Sequence, residues 1–89
     1  MTATVFWRPG CGFCALLFRS LDAAGVEVER RNIWEDDEAR SFVRSVNHGN
    51  ETVPTVSVGN DVYTNPRPAD LLEILGVERP GLMARLRGG

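Results

Sequence analysis

The chain has no lysine, only two cysteines and a single histidine among its 89 residues, and these scarcities exclude more than its composition as a whole. Cys11, Cys14 and His48 are its entire stock of thiolate and imidazole ligands. One copy therefore cannot complete a closed zinc site, which takes four Cys or His ligands; a metal or cluster would have to be shared between two chains. A structural staple is also a poor reading. Closing so short a loop removes only about 2 kcal/mol of unfolded-chain entropy, and a small secreted scaffold carries several bridges. An excess of one charge is missing as well: the formal charge of -2 and pI near 5.3 give no electrostatic reason to expect nucleic acid or an anionic membrane as partner. The start, Met1 to Arg8, lacks the basic and apolar regions of a secretion signal, and no run approaches membrane-spanning length, so a cytoplasmic location is expected. All ten basic residues are arginine, which fits a GC-rich genome better than any mechanism. The length predicts one domain over residues 1–89 with a single core.

What is present is Cys11-Gly12-Phe13-Cys14. Two cysteines at this spacing, within a strand-helix-strand pattern, read as a redox-active dithiol. Thr4 to Trp7 is a short β-prone run that stops at Pro9-Gly10, and from Cys14 the apolar Leu17, Leu21 and Ala24 recur at helical spacing up to Gly25. Cys11 thus falls at the helix entrance and Cys14 on its buried face. Unsatisfied N–H groups and the positive end of the helix dipole favour a thiolate at Cys11. Cys11 is the expected nucleophile and Cys14 the resolving or spectator thiol. Arg8 places a cation near that sulfur or near an anionic part of a substrate, or is simply a solvated surface arginine.

Val26 to about Ile33 alternates like a half-buried strand. Glu35 to Glu38 puts acids at the start of a helix carrying the stripe Ala39, Phe42, Val43 and Val46. Asn47 to Asn50 is turn chemistry, which makes His48 a loop residue rather than a proton donor. Val53 to Val58 and Val62-Tyr63 flank Gly59-Asn60-Asp61 and read as a hairpin, with Pro54 near the start of its strand. Asn65 to Pro68 opens a last clear helix with Leu71, Leu72 and Leu75, closed by Gly76. Beyond it a short turn of helix is expected around Leu82, Met83 and Leu86, with Gly88-Gly89 frayed. Trp7 and Trp34 read as core or scaffold more readily than as site residues, and Phe13, between the cysteines, as exposed.

Cys11-Gly12-Phe13-Cys14, followed some forty residues later by Thr52-Val53-Pro54-Thr55-Val56, resembles a glutaredoxin across essentially the whole chain. The stretch Ser45 to Val56, with Thr64-Asn65-Pro66, is most similar to the mycoredoxins, the mycothiol-dependent glutaredoxins of actinobacteria. The resemblance implies an α/β thioredoxin fold, a central four-stranded mixed sheet flanked by helices. It makes Pro54 a cis proline whose neighbour Val53 offers free peptide groups to a thiol substrate; from the residues alone, a trans proline starting a strand stays open as the lesser alternative. It also makes Thr52, Val53, Pro54 and Asn65 substrate contacts, alongside Arg8 and Phe13. Where glutaredoxins carry a Gly-Gly and a nearby acid for glutathione, this chain reads Thr64-Asn65-Pro66-Arg67-Pro68-Ala69-Asp70. Asp70 is a candidate contact or a first-turn helix acid. The missing Gly-Gly suits a bulkier, sugar-bearing thiol such as mycothiol. Pro9-Gly10 also stands before Cys11 where mycoredoxins often have an aromatic.

The expected function is that of a thiol-disulfide oxidoreductase that reduces mycothiol-protein mixed disulfides. Mycothiol is its co-substrate, mycothiolated or disulfide-bonded proteins are its partners, no cofactor or metal is tightly bound, and the chain is a monomer. Two rivals stand: a dithiol redoxin that reduces protein disulfides and is recharged by thioredoxin reductase, and an iron-sulfur carrier in which Cys11 of two chains and two small thiols hold a cluster.

Overall fold

A computed structural model describes residues 2–77; the expected turn of helix around Leu82, Met83 and Leu86 and the Gly88-Gly89 end lie outside the described residues. The elements run β1 (Ala3–Trp7), α1 (Gly12–Ala23), β2 (Glu29–Asn32), α2 (Asp37–Val46), β3 (Thr55–Val58), β4 (Asp61–Thr64) and α3 (Pro68–Ile74). The sheet order is β2-β1-β3-β4. β1 pairs with β2 in parallel, and β1 with β3 and β3 with β4 antiparallel, so the sheet is mixed and four-stranded, as expected.

The period-2 alternation of β1 divides the core in two. Ala3 and Val5 face Leu17 and Leu21 of α1 and Leu71 and Leu72 of α3, together with Val56 and Val58. Phe6 points the other way, to Ile33 and to Ala39 and Val43 of α2. Phe6 also stacks on Phe42, with ring centroids 4.8 Å apart. The α2 stripe is therefore real except at its end, because Val46 is exposed where the helix has run past the sheet.

Glycine-closed helix ends explain the largest departure from the sequence reading. After α1, the Gly25 N–H bonds to the Asp22 carbonyl and the Val26 N–H to the Leu21 carbonyl, with Gly25 at φ +70. This is a Schellman closure. It occupies the backbone of Val26, so β2 begins only at Glu29, whereas the alternation had placed a strand from Val26. Val26 and Val28 still pack on the core, which is what their spacing reported. Gly76 and Val77 close α3 in the same way, bonding to Glu73 and Leu72. The β3–β4 loop is the two residues Gly59-Asn60, with Gly59 at φ +59, and β3 starts at Thr55 rather than Val53.

Candidate active site

Pro9-Gly10 ends β1 in a turn, with Gly10 at φ +77, and delivers Cys11 to the N-cap of α1. The extended backbone of Cys11, φ −93 and ψ 111, is that of an N-cap, and its sulfur takes the capping role of an oxygen: the Cys14 N–H donates to Cys11 Sγ at 3.2 Å. The Cys11 thiol in turn lies 3.8 Å from the Val53 carbonyl, to which it donates. Cys11 is part-exposed, and both cysteines are reduced.

Cys14, one turn on, is 2% exposed. Burial pushes its thiol up to about 12, helped by its interaction with Cys11 and offset in part by the Arg8 backbone N–H. A thiol in apolar surroundings keeps its proton because the charged form loses its hydration. The dithiol is thus asymmetric: one sulfur meets water and a helix N-terminus, the other faces the core.

Around Cys11 the expected residues are brought together unevenly. Phe13 is 62% exposed beside it. The Val53-Pro54 peptide is cis, and the Thr52 carbonyl accepts a bond from Thr55 Oγ1 at 2.7 Å. Asn65, in a left-handed conformation at φ +47, donates its N–H to the Pro54 carbonyl at 2.7 Å, which ties the end of β4 to the loop facing Cys11. Arg8 folds over the turn that follows it, its Nη1 donating to the Pro9 carbonyl at 3.1 Å, with the guanidinium 5.8 Å from the centre of the Trp34 ring. Asp70 is exposed and ion-paired with Arg67 at 3.1 Å. Phe13, Leu16, Asn65, Pro66, Arg67 and Pro68 line a shallow cavity of about 190 Å³. His48 sits exposed in the turn after α2. Trp34, expected in the core or scaffold, is instead 58% exposed, because the turn after β2 swings it past the sheet edge. Trp7 meets that expectation by packing edge-on against Phe18. Among the described residues no group of three or more metal-ligating side chains converges, and no helix is long and apolar enough to cross a membrane.

A protein-family model described as glutaredoxin matches residues 3–63. The chain belongs to the glutaredoxin family. It is 36% identical over 70 residues to Mycoredoxin 1 of Corynebacterium glutamicum, covering 78% of this chain and 86% of that protein. It is also 36% identical over 78 residues to a glutaredoxin of Mycobacterium tuberculosis, covering 82% and 93%. Among solved structures, the glutaredoxin-like NrdH-redoxin of Escherichia coli superposes with a TM-score of 0.73 at 25% identity, covering 89% of this chain and all of that one. A glutaredoxin of Archaeoglobus fulgidus superposes at 0.65 and 21% identity, over 82% and 84%. The protein is thus a glutaredoxin-like redox protein of thioredoxin fold, related to mycoredoxin.

Sequence reasoning passed over the residue that braces the loop facing Cys11. Asn47, read as turn chemistry, is 8% exposed. Its Nδ2 donates to the Val43 carbonyl at 2.8 Å and to Thr55 Oγ1 at 3.1 Å, and its Oδ1 accepts from Thr64 Oγ1 at 2.7 Å. With the bond from Thr55 to Thr52, the end of α2, the start of β3 and the end of β4 are held in one chain of hydrogen bonds beneath Thr52 and Val53. The only hint was that Asn47, Thr52, Thr55 and Thr64 are polar residues at or beside element ends; nothing in their spacing says that they meet.

Proposed function

We propose that the protein reduces mixed disulfides between mycothiol and proteins, with Cys11 as nucleophile. The observation that carries this reading is the asymmetry of the two sulfurs: Cys11 is reachable and receives an N–H from the helix entrance, while Cys14 is buried and stays protonated. The Cys11 thiolate attacks the mycothiol sulfur of the mixed disulfide, the protein thiolate leaves and takes a proton, and a Cys11–mycothiol disulfide remains. A second mycothiol thiolate then attacks the mycothiol sulfur of that adduct. Mycothiol disulfide departs and the Cys11 thiolate returns, so one disulfide is consumed and one is formed.

Once Cys11 is ionised it no longer donates to the Val53 carbonyl, which then accepts an N–H from the cysteinyl part of the bound thiol. Phe13, Thr52, Pro54 and Asn65 line that contact. Mycothiol rather than glutathione is favoured by the 36% identity to Mycoredoxin 1 and by the stretch Thr64 to Asp70, which has no Gly-Gly and in which Asp70 is engaged by Arg67. The dithiol alternative, reduction of protein disulfides with Cys14 resolving, draws on the likeness to NrdH-redoxin. The two routes separate by variant. Cys11→Ser should abolish turnover of a mycothiolated protein, while Cys14→Ser should retain at least about half and accumulate a Cys11–mycothiol adduct visible by mass. Equal loss in both variants at saturating mycothiol would overturn the one-thiol route, and equal turnover with glutathione would overturn the choice of thiol.

A further inference from the structure

The site is one edge of the sheet, and its ends differ in chemistry. Asn32 pairs across to Trp7, Phe6 to Thr55 and Thr55 to Thr64. The segments that leave this edge therefore stand in the order Trp34, then Arg8 with Cys11, then Val53-Pro54, then Asn65-Pro66. At one strand spacing per step the row is about 15 Å long. Cys11 lies inside it, so a mixed disulfide laid along the row has one half on each side of the reacting sulfur. Past Val53 the row ends in the mainly apolar side chains Phe13, Leu16, Pro66 and Pro68, with Asn65 and an Arg67 already paired with Asp70 beside them. On the other side it ends in an indole and a guanidinium.

That second end is held in place. The Trp34 N–H donates to Asn32 Oδ1 at 2.9 Å, and the Glu35 N–H to the Asn32 carbonyl at 3.1 Å, which fixes the turn carrying the ring. The indole belongs to neither core cluster and is 58% exposed. Arg8, held by the Pro9 carbonyl and lying over the ring, keeps its remaining N–H groups for a ligand. A carboxylate would use the arginine and leave the indole face in water. A sugar ring uses both: its C–H face covers the indole, a large rigid apolar surface that loses little entropy on contact, while its hydroxyl edge accepts from the guanidinium.

We propose that Trp34 and Arg8 form a saccharide subsite that takes the sugar portion of the low-molecular-weight thiol, and so set the enzyme's preference for a sugar-bearing thiol. This rests on the mycothiol reading above and adds to it the residue that selects the sugar. The test compares mixed disulfides of one peptide with mycothiol and with N-acetylcysteine methylamide, which presents the same doubly amidated cysteine without sugars and without a carboxylate for Arg8. In Trp34→Ala the KM for the mycothiol disulfide should rise about tenfold with kcat changed less than twofold, so that the ratio of the two KM values moves about tenfold toward unity; Trp34→Phe should restore most of it. A second readout uses Trp7→Phe/Cys14→Ser protein, in which Trp34 is the remaining indole: forming the Cys11–mycothiol adduct should shift its emission to the blue, and the N-acetylcysteine methylamide adduct should not.

Equal KM increases on both substrates in Trp34→Ala, or no increase, would overturn the subsite, as would identical emission from the two adducts. If wild-type protein prefers mycothiol to glutathione and Trp34→Ala keeps that preference, the subsite falls and the mycothiol reading stands. If wild-type protein shows no such preference, the mycothiol reading falls first and takes the subsite with it.

Discussion

Replacing Asn47 by alanine should loosen the loop opposite Cys11 at a cost that can be worked out from its contacts. The amide makes three hydrogen bonds, to the Val43 carbonyl, to Thr55 Oγ1 and from Thr64 Oγ1, and its residue is 8% exposed. The Asn47 backbone N–H bonds to Arg44 rather than Val43, so the side chain also takes the place of the missing helical partner for the Val43 carbonyl. At about 1 kcal/mol net for each bond, the loss is about 3 kcal/mol, against a total of about 5 to 10 kcal/mol for a chain of this size. With about 4 to 8 °C per kcal/mol for a domain of this length, Tm should fall by about 15 °C. Circular dichroism melts of Asn47→Ala and of Thr64→Val, which removes one bond and should cost about a third as much, test the ledger. Because Thr55 also supports the Thr52 carbonyl, KM for a mixed disulfide should rise in Asn47→Ala below its Tm while the alkylation rate of Cys11 stays unchanged. A Tm drop under about 3 °C would refute the claim that this chain of bonds braces the site.

Four further outcomes follow from the same structure. In native protein at neutral pH, iodoacetamide should label Cys11 and spare Cys14, as read by peptide mass; labelling of both at similar rates would contradict the burial of Cys14. Since the folded-state value for Cys14 is raised to about 12 and an unfolded thiol titrates near about 8.5, the stability it contributes is complete below the unfolded value and is lost as pH rises from there toward the folded one; Cys14→Ser should remove this part of the alkaline decline in Tm. Asp36, whose carboxyl is held low by the Ala39 N–H and then by Arg31, should contribute stability above about pH 4 that is lost as pH falls through its depressed folded value, and Asp36→Asn should flatten the acid limb of a Tm–pH curve. Purified anaerobically, the protein should be colourless and monomeric; a brown dimer dependent on Cys11 and a small thiol would put the iron-sulfur reading first.

The parts legible in the sequence are those with a local cause. Cys11 at a helix entrance follows from Pro9-Gly10 and the Leu17, Leu21 periodicity, and the Gly59-Asn60 turn from glycine's tolerance of positive φ. Val26 to Val28 misled because alternation reports burial, and Val26 and Val28 are half-buried on either side of an exposed Glu27 without being paired: a Schellman closure had already claimed the Val26 N–H. Trp34 misled because aromatic size predicts burial only on average, and its position depends on where β2 stops. Asn47 could not be read at all, since its three partners lie on α2, β3 and β4 and meet only when the sheet has formed.

The difference between Cys11 and Cys14 then needs no separate device. A helix that starts where β1 ends leaves Cys11 at its N-cap, in extended backbone at the rim, and carries Cys14 one turn further in, under the packing of α1 on the sheet. The same helix start aims an N–H at the first sulfur, and the same packing that buries Leu17 and Leu21 buries the second. For Cys14 to attack a disulfide at Cys11 it must leave that packing and lose a proton that burial holds on it, whereas a free small thiol ionises in water and has no packing to leave. On the proposed reading a one-thiol cycle therefore spares Cys14 this unpacking, while a two-thiol cycle requires the first turn of α1 to open.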